Sequence, residues 1–122
     1  MKWMIASDIH GSYLYGEKMI ERYKEEKAEK LLLLGDILYH GPRNDLPEGY
    51  DPKKLITLLN GYKKEILSVR GNCEAEVDQM VLSFPVMSDS MLLESEGCTI
   101  FLTHGHIYSL EIISSFLPEG SI

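Results

Sequence analysis

The sequence predicts a single α/β domain, and three observations carry that prediction. Short apolar runs of strand length alternate with amphipathic helical stretches. The clearest run, Leu31 to Leu34, is continuously hydrophobic, as in a strand covered on both faces. Four such runs stop at a side chain with an oxygen or nitrogen donor: MIASDIHG at Asp8 and His10, LLLLGD at Asp36, ILSVRGN at Asn72, and TIFLTHGH at His104 and His106. In an open α/β sheet the carboxyl ends of the strands share one edge, so distant residues can converge there.

In chain order, residues 3–7 form the first predicted strand. Ser12 is placed to cap a helix whose inner face carries Tyr15, Met19, Ile20 and Tyr23. The KEEKAEK segment at 24–30 is its solvated, charged end. After the second strand and Gly35-Asp36 comes a polar loop, YHGPRNDLPEGYD, long enough to suggest function. Asp51 then Pro52 is an N-cap and N1 pair. Leu55, Ile56, Leu58 and Leu59 form that helix's apolar face, with Gly61 as its C′ stop. Residues 66–69 are the third strand and 74–83 a short helix. Residues 86–95 and 99–103 read as an antiparallel pair joined through Glu96-Gly97, and 108–117 as a last helix. Trp3, the methionines and Cys98 are assigned to the core.

Bulk composition agrees with one ordinary globular domain: 122 residues, 44% hydrophobic and 25% charged. Cys73 and Cys98 form no CxxC pair, which fits reduced thiols and a cytoplasmic setting. No run approaches the roughly 20 apolar residues of a membrane span, and the start is too short for a signal h-region. A net charge of −7 argues against a protein that tracks nucleic acid by neutralising phosphates. A small phosphorylated ligand is still compatible, because bound cations invert the local field.

Asp, His, Asp, Asn, His is a donor set suited to a pair of divalent metals, about 3.5–4 Å apart in two-metal hydrolases. Such ions polarise phosphoryl oxygens and generate hydroxide from bound water at neutral pH. Asp8 and His10, spaced i, i+2 at a strand end, can reach one ion. Asp36 on the next strand is the natural bridge, and Asn72 and His104 serve the second ion. Oxygen and nitrogen donors without a second nearby thiol favour Mn, Fe or Zn over a zinc–thiolate site. Singly, each motif has a bland reading: Asp8 as a helix cap, Gly35-Asp36 and Gly71-Asn72 as turns, His104 and His106 as solvated imidazoles. Four strand ends carrying ligand-type residues together favour the site.

These motifs, DIHG at 8–11, GDILYHGPRN at 35–44, GNCEAEVDQM at 71–80 and THGH at 103–106, resemble the calcineurin-like metallophosphoesterase superfamily. Within it the chain looks like the small bacterial YfcE-type phosphodiesterases. The resemblance implies an α/β/β/α sandwich and a phosphoric ester hydrolase with two divalent ions, Mn first and Zn, Fe or Ni as alternatives. Position by position, Asp8, His10 and Asp36 match ligands of the first ion, and Asp36, Asn72 and His104 those of the second. Asp36, Asn72 and His104 thereby become the catalytic candidates. Arg43, Asn44, Cys73 and His106 are candidate contacts to a small phosphodiester, and His40 shares the Arg43 loop.

Two departures from the family pattern matter. Cys73 stands where the family usually has a histidine near the leaving group, so general-acid help worth about 10²–10⁴-fold is missing. Aryl phosphodiesters are therefore expected to outperform alkyl ones. The family's later Gly-His-x-His motif is also missing, which leaves each ion one ligand short and the second sheet short of strands. The expectation is a single metallophosphoesterase domain, 1–122, lacking its C-terminal part, with weakened or no activity and a tendency to associate with another copy. The competing reading is a non-catalytic metal-binding or protein-interaction scaffold of the same fold. A dinucleotide-binding module is excluded because DIHGSYLYG supplies no GxGxxG turn.

Overall fold

A computed structural model describes residues 1–122. The elements run β1 (Trp3–Ala6), α1 (Tyr13–Glu25), β2 (Lys30–Leu33), α2 (Pro52–Asn60), β3 (Ile66–Ser68), α3 (Glu76–Val81), β4 (Ser90–Ser95), β5 (Cys98–Thr103) and α4 (Leu110–Phe116). β1, β2 and β3 form a parallel sheet in that order, with Ile5 opposite Leu32 and Leu32 opposite Leu67. β4 and β5 form a separate antiparallel pair.

Alternation along the parallel strands sends side chains to two different cores. Leu31, Leu33 and Ile66 face α1 and α2, where they meet Met19, Ile20, Tyr23, Leu55 and Leu59. Leu32 and Val69 face the second sheet and meet Leu102, with Trp3, Leu67, Met91, Leu93 and Ile100 around them. α4 lies against the outer face of β5, where the Phe101 ring meets Tyr108 and Phe116 edge-on at centroid distances of 5.8 and 5.3 Å. The layers are thus helix, sheet, sheet, helix, as the resemblance implied. None of the helices is long and apolar enough to cross a membrane.

Local signals place the helix starts. Ser12 caps α1 by accepting from Tyr15 N–H, and Asp51 caps α2 by accepting from Lys54 N–H with Pro52 in the first turn. Glu96 and Gly97 both have positive φ, 51° and 79°, which matches a two-residue primed turn between β4 and β5.

Several expectations fail in detail. Tyr15 is half-exposed, because the inner stripe of α1 runs through Gly16, Met19, Ile20 and Tyr23. Gly16 lets α1 and α2 approach closely, since a Cβ there would meet Leu55 Cδ1. Gly61 closes α2 with right-handed geometry, φ −64°, rather than as a left-handed C′ residue. β4 begins at Ser90 and not at 86, because Phe84 and Val86 drop into the helix-side core as an extended segment. Met1 and Met80 are exposed and take no part in a core.

Candidate metal centre

Three loops meet above the carboxyl edge of the parallel sheet, and their backbones are laced together. Asp8 N–H donates to Gly35 O at 3.0 Å, His10 N–H to Asp36 O at 2.9 Å, and Gly11 N–H to Ile37 O at 2.8 Å. Asp8, His10 and Asp36 all sit in the left-handed region, with φ of 59°, 52° and 54°. That conformation costs an L-residue about 1–2 kcal/mol, and its concentration at three site residues marks a functional constraint. Gly71 lies so close to Asp36 that a Cβ there would overlap the Asp36 carboxylate.

The five strand-end residues are brought together. His10 Nε2 lies 3.2 Å from Asp8 Oδ1 and 3.7 Å from Asp36 Oδ2. His104 Nε2 lies 3.4 Å from Asp36 Oδ2 and 2.9 Å from Asn72 Oδ1. Donor atoms of Asp8, Asp36 and His104 fall within 4.8 Å of one another, as do those of His10, Asp36 and Cys73. Asp36 belongs to both groups, as a bridging ligand would, but Asp8 groups with His104 and His10 with Cys73, so neither is the Asp8, His10, Asp36 set that the resemblance implies. His104 arrives differently from the others. It follows β5 in the second sheet, so the parallel-sheet rule does not bring it here; its Nδ1 contact to Leu34 O, 2.7 Å, does.

The donor chemistry fits a divalent cation. His10 Nδ1 contacts Tyr39 O at 2.8 Å and His104 Nδ1 contacts Leu34 O, so in each neutral ring Nδ1–H donates to a carbonyl. That leaves Nε2 of each ring as the atom turned towards Asp36, where it could ligate a metal ion. Asp36, only 3% exposed, forms no ion pair with a lysine or arginine. Beside those two imidazoles the buried carboxylate has a backbone donor, Cys73 N–H at 2.9 Å, and no lysine or arginine, which suits a bound cation.

Cys73, named among the candidate substrate contacts, also stands among the candidate metal ligands. It offers a sulfur donor beside His10 and Asp36, a position that the absence of a second cysteine argued against. Burial, then the negative charge of Asp36, pushes its thiol up to about 11. Glu74 is the residue that sequence reasoning missed. Its buried carboxylate accepts from the N–H groups of Asp36 (2.9 Å), Ile37 (2.8 Å) and Gly71 (2.6 Å), tying the β2 loop to the β3 loop. The available signal was a carboxylate in a strand-end turn whose N–H groups need an acceptor.

The remaining candidates stand further out. Arg43 and Asn44 are exposed on the long loop; Asn44 Nδ2 donates to His40 O at 2.9 Å, and Arg43 pairs with no carboxylate. His40 stands between the rings of Tyr39 and Tyr50, at 4.8 and 5.6 Å. The His106 ring packs edge-on against His104 at 5.2 Å.

Relatives share this architecture. Phosphodiesterase YfcE of Escherichia coli K12 is 49% identical over 111 residues, a match covering 91% of this chain and 60% of that protein. The chain therefore spans about three-fifths of the relative's length. A solved structure of YfcE, described as a phosphoesterase from E. coli, superposes with a TM-score of 0.89 at 48% identity, covering 91% of this chain and 61% of that one. A conserved protein of Streptococcus pneumoniae TIGR4, described as a predicted phosphoesterase, shares the fold alone: TM-score 0.50, 23% identity, 89% and 48% coverage. The family description "Calcineurin-like phosphoesterase superfamily domain" matches residues 1–118. With nearly its whole length inside that match, the chain belongs to the calcineurin-like phosphoesterase superfamily.

Proposed function

We propose that this chain carries the metal centre of a metal-dependent phosphodiesterase. The observation that supports this most is the buried Asp36 carboxylate, shared by two donor groups and facing Nε2 of two histidines with no lysine or arginine paired to it. In this reading Asp8, His10 and Asp36 hold one divalent ion, and Asp36, Asn72 and His104 hold a second, with manganese the first choice. When bound, such ions polarise the phosphoryl oxygens and acidify a water that serves as nucleophile. The chain's own groups orient these parts. The carbonyls of Tyr39 and Leu34 hold the two imidazoles, and Glu74 holds the backbone of Asp36.

Cys73 sits at the centre, beside His10 and Asp36, and brings no imidazole there to protonate a leaving group. Esters with good leaving groups are favoured accordingly, and an aryl phosphodiester should turn over at least 10²-fold faster than a dialkyl one. Equal rates on both at neutral pH would contradict this assignment.

The decisive measurement loads the chain with manganese, counts ions per chain and assays a bis-aryl phosphodiester. Two ions, with whatever turnover the chain retains abolished by Asp36→Asn, are the expected result. Less than one ion per chain and no turnover would leave the fold as a non-catalytic scaffold.

A further inference from the structure

We infer that the apolar groove running from Cys73 between the 39–52 loop and α3 is the subsite for an uncharged aromatic ester group of the substrate. The inference rests on the phosphoesterase reading and names which substrates that site takes.

Cys73 belongs to both features. Its sulfur lies within 4.8 Å of the His10 and Asp36 donor atoms, and it also lines a groove of about 350 Å³. The groove is walled by Tyr39, Tyr50, Pro52 and Ile56 on one side and by Val77 and Val81 on the other. That volume is at the small end for ligand sites and suits one ring rather than an extended molecule. Three of its walls hold apolar surface in water: Tyr39 is 43% exposed, Val77 60% and Val81 39%. Such a patch beside a reactive centre is the expected form of a recognition surface.

The lining also says what the group is not. Its one ionisable carboxylate, Asp78, is buried and accepts from Ala75 N–H at 2.7 Å, and no lysine or arginine lines the groove. A second phosphate or a carboxylate there would be unpaired, so a nucleotide polyphosphate is a poor fit. Tyr39 and Tyr50 offer ring faces and edges to an aromatic guest, with the His40 ring wedged between them. The other approach to the centre is different in kind. A groove reaching Asp8 and His10 includes Lys18, so the two flanks of the centre offer unlike surfaces to the two ester groups of a diester.

The test compares two phosphodiester probes by amide NMR on the zinc-loaded chain: diphenyl phosphate and dimethyl phosphate. Both should shift the amides of Asp36 and His104, and only diphenyl phosphate those of Tyr39, Val77 and Val81. Diphenyl phosphate should bind at least about tenfold more tightly. In the double variant Val77→Ser, Val81→Ser, both positions being exposed, the difference should shrink below about threefold. Binding of both probes at the centre with equal affinity and no shift along the groove overturns the inference while leaving the phosphoesterase reading intact. Binding of neither overturns both.

Discussion

Glu74 is where one side chain holds the centre's geometry. Three backbone N–H groups from two loops converge on its carboxylate, and a carboxylate alone among side chains has acceptor capacity on both ends for all three. In Glu74→Gln the amide nitrogen must face a backbone N–H, leaving a buried donor unpaired. We expect a loss of about 1–3 kcal/mol in urea unfolding without metal. Manganese affinity should fall about 10–100-fold, as it does when outer partners of metal ligands are removed. Unchanged metal affinity would show that Asp36 holds its position without Glu74. A second buried group acts on stability alone. Tyr23 is 3% exposed and donates to Glu65 at 3.0 Å; burial, then that contact, pushes its phenol from 10 to about 12. The folded state therefore holds the proton more tightly than the unfolded one. Its contribution is complete below pH 10 and is lost as pH rises from about 10 to 12. Tyr23→Phe should flatten that alkaline decline, measured as urea midpoint against pH.

At the scale of elements, the β4–β5 hairpin provides a clean test, because its turn stands clear of both cores. Glu96 occupies a left-handed position, φ 51°, that Asn adopts more readily, and it precedes a glycine already suited to its own, φ 79°. Glu96→Asn should stabilise by about 0.5–1 kcal/mol, and Gly97→Ala, which meets nothing within 4 Å, should cost about 1–2 kcal/mol of backbone strain alone. Chemical denaturation reads both. This turn, the Ser12 and Asp51-Pro52 caps and the apolar runs were all legible in the sequence, since each is a local preference written within a few residues. The site was legible for a related reason. A parallel sheet sends the residues after every strand to one edge, so the sequence alone groups Asp8, His10, Asp36 and Asn72. What escaped depends on contact between distant segments. Gly16 matters only because Leu55 packs on it, and Glu74 only because two loops share its carboxylate. The start of β4 was misplaced because Phe84 and Val86 have strand-like composition yet fill the helix-side core.

At the scale of the whole molecule, the centre sets stability against metal binding. Without a cation, Asp36 is a buried carboxylate with no lysine or arginine paired to it, an arrangement that opposes folding. With a cation it becomes a source of stability, because a ligand bound only by the folded state contributes about 2.7 kcal/mol at a hundredfold excess over its Kd. For a domain of this size that corresponds to a rise of roughly 10 °C in Tm. Asp36→Asn separates the two effects. The amide oxygen can still accept from Cys73 N–H, as Asp36 Oδ1 does now at 2.9 Å, while the neutral side chain removes a buried charge. In chelator-treated protein the variant should therefore melt at or above the parent temperature. In excess manganese it should melt below it, having lost a ligand on which both donor groups depend. The crossing of the two curves is the expected signature, followed by thermal unfolding with and without metal. A variant less stable than the parent in both conditions would assign Asp36 to the scaffold, and one unaffected by metal while the parent is also unaffected would remove the metal centre from the account.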